Sequence, residues 1–206
     1  GILACDPLDG DESMKSYSNG SKLIVQDVVG PDGWAVPPVE QLLSEGANNG
    51  AVIHSWSWGD NTVNYTERSR NIDSWMMENP WSLVFVAPGN NDGQLLEPAN
   101  ARNVVAVAAS NSEEDGEIWG SSAFGPDSDE RRGILIAAPG INIVSAKSDG
   151  NNSPHHKHKA KDLWIPGFRV SQQRAKILPV NHNEVPSPSS VYQTPICTSH
   201  NEVWNE

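Results

Sequence analysis

Cysteine is scarce in this chain, which has only two, Cys5 and Cys197, among 206 residues. Two cysteines so far apart form neither a disulfide framework nor a zinc-binding spacing. We therefore expect two unpaired thiols, and the sequence excludes the class of small disulfide-stapled proteins.

Long hydrophobic runs are also absent. No apolar stretch reaches the length of about 18 residues that a membrane-spanning helix needs. The first residues, GILACDPLDG, lack the basic start and the apolar centre of a secretory signal. Because the chain opens on Gly1 rather than Met, we expect a fragment or a processed product.

Basic residues are in short supply, with 14 Lys and Arg against 26 Asp and Glu and a net charge of −12. The acidic excess falls within residues 1–148, whereas residues 149–206 are close to neutral. A polyanion such as DNA would be repelled by the acidic part. The charge therefore argues against a nucleic-acid partner.

Short apolar runs rich in β-branched residues alternate with segments of helical spacing. Strands are predicted at residues 23–29, 51–57, 82–87, 103–110 and 133–140, with a further short strand within 141–146. Helices are predicted at residues 37–48 and 66–78. This order predicts an α/β fold of three layers, with a mainly parallel sheet between helices. Ligands of such sheets bind beyond the carboxyl ends of the strands.

The last quarter of the chain has a different composition. From Asp149 onward, prolines and histidines accumulate and the hydrophobic periodicity disappears. Such a segment buries too little apolar surface to offset the entropy of ordering it. We predict that residues 149–206 are a tail, disordered or of unrelated sequence, after a domain in residues 1–148.

Six sequence blocks within residues 1–148 resemble, in order and spacing, those of the subtilisin-like serine peptidases. They are GIL (1–3), GSKLIVQDV (20–28), GAVIHSWSWG (50–59), ENPWSLVFVAPGNND (78–92), PANARNVVAVAAS (98–110) and APGINIVSA (138–146). The resemblance implies a partial, incomplete domain of the subtilisin-like fold. It also implies a serine endopeptidase that cleaves a peptide or protein substrate through an acyl-enzyme.

The resemblance assigns roles to seven residues. Asn90 matches the residue whose side-chain amide donates to the oxyanion of the tetrahedral intermediate. The other six match the two walls of the substrate cleft, which we call the first wall (Ser57, Trp58 and Gly59) and the second wall (Ala87, Pro88 and Gly89). In the family, the first wall pairs with the substrate backbone as an added strand.

Two of these roles have simpler alternatives. Asn90 could be only a turn residue, because Asn tolerates left-handed backbone geometry. Trp58 could equally be an aromatic residue that packs in the core. Pro88 departs from the usual Ala; it lacks a backbone N–H and stiffens the second wall, which leaves substrate preference open.

The three motifs of the catalytic triad are missing. The chain contains no D-[ST]-G, H-G-T-H or G-T-S-x-x-x-P. His54 lies within a predicted strand, so we interpret it as a core residue, and Ser190 lies one position away from the serine motif. We expect a family member truncated at both ends and inactive as it stands. The alternative is a non-catalytic pseudo-peptidase that binds peptides.

The sequence identifies no cofactor and no metal site. Members of the family bind structural Ca²⁺, but the acidic loop at residues 111–117 lacks the spacing of a calcium loop. A nucleotide-binding domain is disfavoured, because Gly30 and Gly33 are followed by neither a third Gly nor Gly-Lys-Ser/Thr. The resemblance alone favours a secreted or extracytoplasmic location.

Overall fold

The computed structural model describes residues 15–30, 33–111, 116–128 and 133–141, together with residues 3, 6–7, 12, 130, 143, 145–146, 164–165, 189–192 and 196–197. The chain divides into two compact units. One comprises residues 28–143 and 169–174, and the other comprises residues 1–27, 144–168 and 175–206. Cys5 and the side chain of Cys197 lie outside the described residues, so the prediction of two thiols stays a prediction.

The described elements are two helices and twelve strands, most of them short. The helices are α1 (Val39–Asn48) and α2 (Glu67–Glu78). The strands are β1 (Asp6–Pro7), β2 (Leu23–Gln26), β3 (Val29–Gly30), β4 (Gly33–Trp34), β5 (Ile53–Trp56), β6 (Leu83–Val86), β7 (Val105–Ser110), β8 (Ile136–Pro139), β9 (Ser145–Ala146), β10 (Trp164–Ile165), β11 (Ser189–Tyr192) and β12 (Ile196–Cys197).

A four-stranded parallel sheet forms the centre of the unit that begins at residue 28. Its strand order is β5-β6-β7-β8, and every neighbouring pair is parallel. Helix α1 precedes β5, and helix α2 connects β5 to β6. The predicted α/β fold with a parallel sheet is therefore confirmed, although each strand of the sheet is two to four residues shorter than the apolar run that predicted it.

Both helices pack on the same face of this sheet. Helix α1 buries Val39, Leu42 and Leu43, and helix α2 buries Ile72, Trp75 and Met76, at the three- and four-residue spacing of one helical face. These side chains form one cluster with the strand residues Trp56, Val84, Val86 and Ala106. Burying each large apolar side chain stabilises the fold by about 1.5–3 kcal/mol. This cluster is the core of the unit.

The opposite face of the sheet exposes apolar side chains. Ile53 is 64% exposed, its paired neighbour Leu83 is 38% exposed, and Ile136 on β8 is 49% exposed. Parallel sheets are normally covered on both faces. Among the described residues of this unit no helix covers this face, as expected for an incomplete copy of the fold.

His54 is a core residue, as predicted. It points toward the helices, with 6% of its surface exposed. Its ring meets Trp75 edge-on with centroids 6.0 Å apart. A Cβ at Gly46 would lie 2.8 Å from His54 Cε1, so this position of α1 accommodates the imidazole only as glycine. Among the described residues, Nε2 has no hydrogen-bond partner.

The prediction of one strand over residues 23–29 was wrong in its pairing. Only β2 and β3 form there, and β2 pairs antiparallel with β11 rather than joining the parallel sheet. Its four residues are half-buried rather than buried. An apolar run specifies that a strand forms but does not specify its partner, which long-range packing decides.

Little of the predicted tail lies within the described residues. Strands β10, β11 and β12 fall within residues 149–206, and β10 pairs antiparallel with β9 at the predicted short strand of residues 141–146. Strand β12 pairs parallel with β1. The remaining residues of 149–206 lie outside the described part, so the proposed tail stays a prediction. Neither described helix has the length and apolar character to cross a bilayer.

We expect protonation of His54 to destabilise the fold. Burial lowers the pKa of His54 below its ordinary value of 6.5, so the folded chain favours the neutral ring. The unfolded chain then binds the proton more tightly, and stability present above pH 6.5 is lost as pH falls below that value. The urea midpoint of wild type should fall between pH 7.5 and 5.5 more steeply than that of His54→Leu. Parallel pH profiles would contradict this.

Candidate active site

The two predicted walls lie side by side at the carboxyl edge of the sheet. Strands β5 and β6 are paired up to their last residues, Trp56 opposite Val86. The Ala87 N–H then donates to the Trp56 carbonyl at 3.0 Å, which extends the ladder one step beyond the strands. The structure therefore brings the start of the first wall next to the start of the second, at the edge where such folds bind ligands.

The first wall combines an exposed serine, a packed tryptophan and a tightly enclosed glycine. Ser57 is exposed, whereas Trp58 is half-buried and packs against the core. The Trp58 ring lies 5.1 Å from that of Trp56, tilted by 32°. A Cβ at Gly59 would collide with the Glu97 carbonyl oxygen. Trp58 thus has the packing role that was its simpler interpretation, and its role in the cleft stays a prediction.

The second wall turns sharply at Gly89. Pro88 is buried, and its carbonyl accepts a hydrogen bond from the Leu96 N–H at 2.9 Å. Gly89 has a φ of +114°, in the region that favours glycine, and a Cβ there would lie 2.7 Å from Leu96 Cδ1. The Gly89 carbonyl accepts from the Ala123 N–H at 2.9 Å. Gly89 is therefore required by its backbone conformation and by its neighbours.

Asn90 follows this turn at the open edge of the second wall. Its side chain is exposed, and among the described residues no hydrogen-bond partner is found for its amide. Asn91 differs, because its Nδ2 donates to the Gln94 carbonyl at 3.2 Å and so stabilises the loop. Of the two asparagines, Asn90 is therefore the one whose side-chain amide is not engaged in holding the loop. Its oxyanion role stays a prediction.

Glu97, which the sequence analysis did not single out, forms hydrogen bonds with the start of helix α2, the helix that follows the first wall. Its buried carboxylate accepts hydrogen bonds from the backbone N–H groups of Thr66 and Ser69, at 3.1 and 3.0 Å. The Thr66 hydroxyl adds a bond of 2.7 Å to the second oxygen. Helix α2 has no cap from its own N-cap residue, Thr66. Glu97 satisfies these first N–H groups of the helix from a distant loop.

The main chain of Glu97 and the side chain of Asn100 complete this attachment. The Glu97 carbonyl accepts from the Asp60 N–H at 2.9 Å. Asn100 Nδ2 donates to the carbonyls of Val63 and Asn64, at 3.0 and 2.9 Å, and its Oδ1 accepts from the Ser69 hydroxyl at 2.6 Å. The loop between β5 and α2 is thus held by the turn after the second wall. The sequence does offer a signal for this attachment, since the block LEPAN contains two polar residues, Glu97 and Asn100.

Asp73 links helix α2 by hydrogen bonds to the segment just before β7. Its Oδ1 accepts from the Asn103 N–H at 2.7 Å, and its Oδ2 accepts from the Arg102 N–H at 2.9 Å and from the Tyr65 hydroxyl at 2.8 Å. A carboxylate inside a helix gives no local sign of such contacts. The contacts with Arg102 and Asn103 exist only because the fold brings together residues about 30 positions apart.

The described part of the chain is thus an α/β fold with a parallel sheet, whose carboxyl edge carries both candidate walls and the exposed Asn90. A sequence profile of the subtilase family (peptidase S8) matches residues 9–164. The chain belongs to the subtilase family, as the resemblance of its sequence blocks predicted.

Individual relatives cover less of the chain. It is 32% identical over 123 residues to the serine protease/ABC transporter B family protein tagD of Dictyostelium discoideum, a match over 53% of this chain and 7% of that protein. It superposes on the prenylagaramide maturation protease PagA with a TM-score of 0.50 and 24% identity, over 69% of this chain and 47% of that structure. Sphericase gives the same TM-score and coverages at 19% identity. These two structures support the fold, and the chain spans less than half of each.

We predict that Glu97→Gln destabilises the fold by about 1–3 kcal/mol, because an amide NH₂ would replace an acceptor that faces buried N–H donors. Urea unfolding followed by circular dichroism measures the loss. Glu78→Gln is the matched control, since Glu78 is exposed at the other end of α2, and it should leave the midpoint nearly unchanged. Equal midpoints for both variants would disprove the capping role.

Proposed function

We propose that this chain is the substrate-binding and oxyanion-stabilising part of a subtilisin-like serine endopeptidase. One observation supports the proposal above others: the exposed and uncommitted amide of Asn90 follows a strained turn beside two walls that meet at the carboxyl edge of the sheet. Family membership supplies the chemistry that this edge would serve.

In the proposed reaction, a substrate peptide lies extended along the first wall and donates to and accepts from its main chain. The acyl-transfer step places negative charge on the scissile carbonyl oxygen. Asn90 Nδ2 would donate to that oxygen, and an amide suits this task because it is neutral, short and oriented by the rigid turn at Gly89. Pro88 would hold the second wall stiff, because its ring fixes the backbone φ angle, and it would offer no backbone N–H to the substrate.

The nucleophile, the base and the residue that orients the base would come from outside this chain, because none of the three triad motifs occurs in its sequence. His54 is unsuited to the role of base, since it is buried among the helices on the covered face of the sheet. The proposed reaction requires no cofactor, because Ser, His and Asp side chains provide the nucleophile and the proton transfers.

We predict that the purified chain hydrolyses peptide bonds no faster than about 10³–10⁴ times the uncatalysed rate, the residual level that remains in such enzymes without a triad. The test is an assay on a fluorogenic denatured protein, with and without a serine-directed covalent inhibitor. Turnover that the inhibitor abolishes would contradict the prediction, since it would require a nucleophile within this chain.

In a protease that contains this chain together with a catalytic triad, Asn90→Ala should lower kcat by about 10²–10³-fold with little change in KM, because its amide acts mainly on the transition state. Asn91→Ala is the control, as its amide is engaged with Gln94. Single-turnover kinetics of both variants provide the measurement. Wild-type kcat in Asn90→Ala would overturn the oxyanion role and leave Asn90 as a turn residue.

A pseudo-peptidase that binds peptides without cleaving them is the second candidate. It is favoured by one observation: the chain has both wall segments side by side and yet contains no triad motif. Cleavage and binding assays on the longest protein that the gene encodes distinguish these two candidates. Cleavage of the fluorogenic substrate supports the peptidase, whereas peptide binding by isothermal titration calorimetry without cleavage supports the pseudo-peptidase.

A further inference from the structure

An arginine from helix α2 lies over the tryptophan of the first wall. Arg68 is the second residue of α2, and its Cζ is 5.3 Å from the centre of the Trp58 ring. Trp58 in turn stacks on Trp56, which is buried in the core. Trp56, Trp58 and Arg68 therefore form a stack that runs from the core to the cleft edge and ends in a guanidinium group.

Asp60 fixes the orientation of this guanidinium. Arg68 Nε donates to Asp60 Oδ2 at 2.6 Å, and the Asp60 N–H donates to the Glu97 carbonyl at 2.9 Å. The loop that carries Asp60 is thus held by the buried Glu97 attachment. Arg68 is oriented both by the ring beneath it and by the carboxylate beside it.

Most donors of Arg68 remain uncommitted. A guanidinium has five N–H donors, and Asp60 engages the one on Nε. Within the described part of the chain, the two terminal NH₂ groups have no hydrogen-bond partner. The side chain is 25% exposed, so part of it is in contact with solvent. Two parallel N–H groups match the two oxygens of a carboxylate.

We propose that Trp58 and Arg68 form a subsite for an acidic side chain of the peptide bound along the first wall, with Arg68 donating to the Asp or Glu carboxylate. The inference rests on the proposed function and specifies its substrate class. The methylenes of that side chain would lie near the Trp58 ring, and its carboxylate would meet the terminal NH₂ groups. Asp60 neutralises part of the Arg68 charge, so the gain is limited to about three- to fivefold in affinity, as for a half-exposed ion pair.

The test uses the whole chain and capped six-residue peptides of alanine and valine that carry either Glu or Gln at one position, moved through the sequence. Isothermal titration calorimetry measures their affinities. At one position the Glu peptide should bind about three to five times more tightly than the Gln peptide. The preference should shrink at about 1 M NaCl, where charges are screened within about 3 Å.

Variants separate recognition from structural support. Arg68→Gln should abolish the preference for Glu, whereas Arg70→Gln, an exposed arginine two positions along the same helix, should retain it. Asp60→Asn keeps Arg68 and an amide oxygen that accepts from Nε, and it removes only the competing negative charge, so it should increase the preference. This variant keeps the test decisive if Arg68→Gln fails to fold, because an unchanged or smaller preference in Asp60→Asn would overturn the subsite.

The outcomes distinguish this inference from the proposed function. Equal affinity for Glu and Gln peptides at every position would overturn the acidic subsite and leave the peptide cleft in place. Absence of binding by every peptide would overturn the cleft itself, and the subsite with it. A preference for Glu that survives Arg68→Gln would assign recognition to another residue.

Discussion

The buried carboxylate of Glu97 is the interaction on which the candidate site depends. It supplies the missing cap of α2 and, through its own main chain, holds the loop that follows the first wall. The residue before it, Leu96, packs against Gly89 in the second wall. One short turn therefore contacts the second wall and the loop that follows the first wall. A charged group so deeply buried is tolerated because its oxygens face N–H and O–H donors.

The arrangement of the sheet explains why the two candidate walls lie side by side. Parallel pairing of β5 with β6 sends both chain segments out at the same edge, and the core beneath them is closed by α1 and α2 on one face. The other face exposes Ile53, Leu83 and Ile136. Within the described residues, one face of the sheet is therefore covered by helices, whereas the other face, which parallel sheets normally also cover, exposes apolar side chains.

Much of the fold could be predicted from the sequence. Apolar runs such as LVFV and helical spacing such as that of Val39, Leu42 and Leu43 depend on local periodicity, and they gave the parallel strands and both helices correctly. The run at residues 23–29 shows the limit, because its partner is β11, more than 160 positions away. Contacts over such separations depend on competing long-range pairings that a local pattern does not encode.

The sequence by itself determined the family and the order of strands and helices, since these follow from motifs and from local hydrophobic patterns, and it predicted the residues of the two walls. Only the tertiary structure decided that Asn90 has an uncommitted amide while Asn91 does not, that Glu97 caps a helix 30 positions earlier, and that Arg68 stacks on Trp58. The physical reason is that hydrogen bonds and ring contacts depend on distances between residues far apart in the chain, and the packed core fixes those distances.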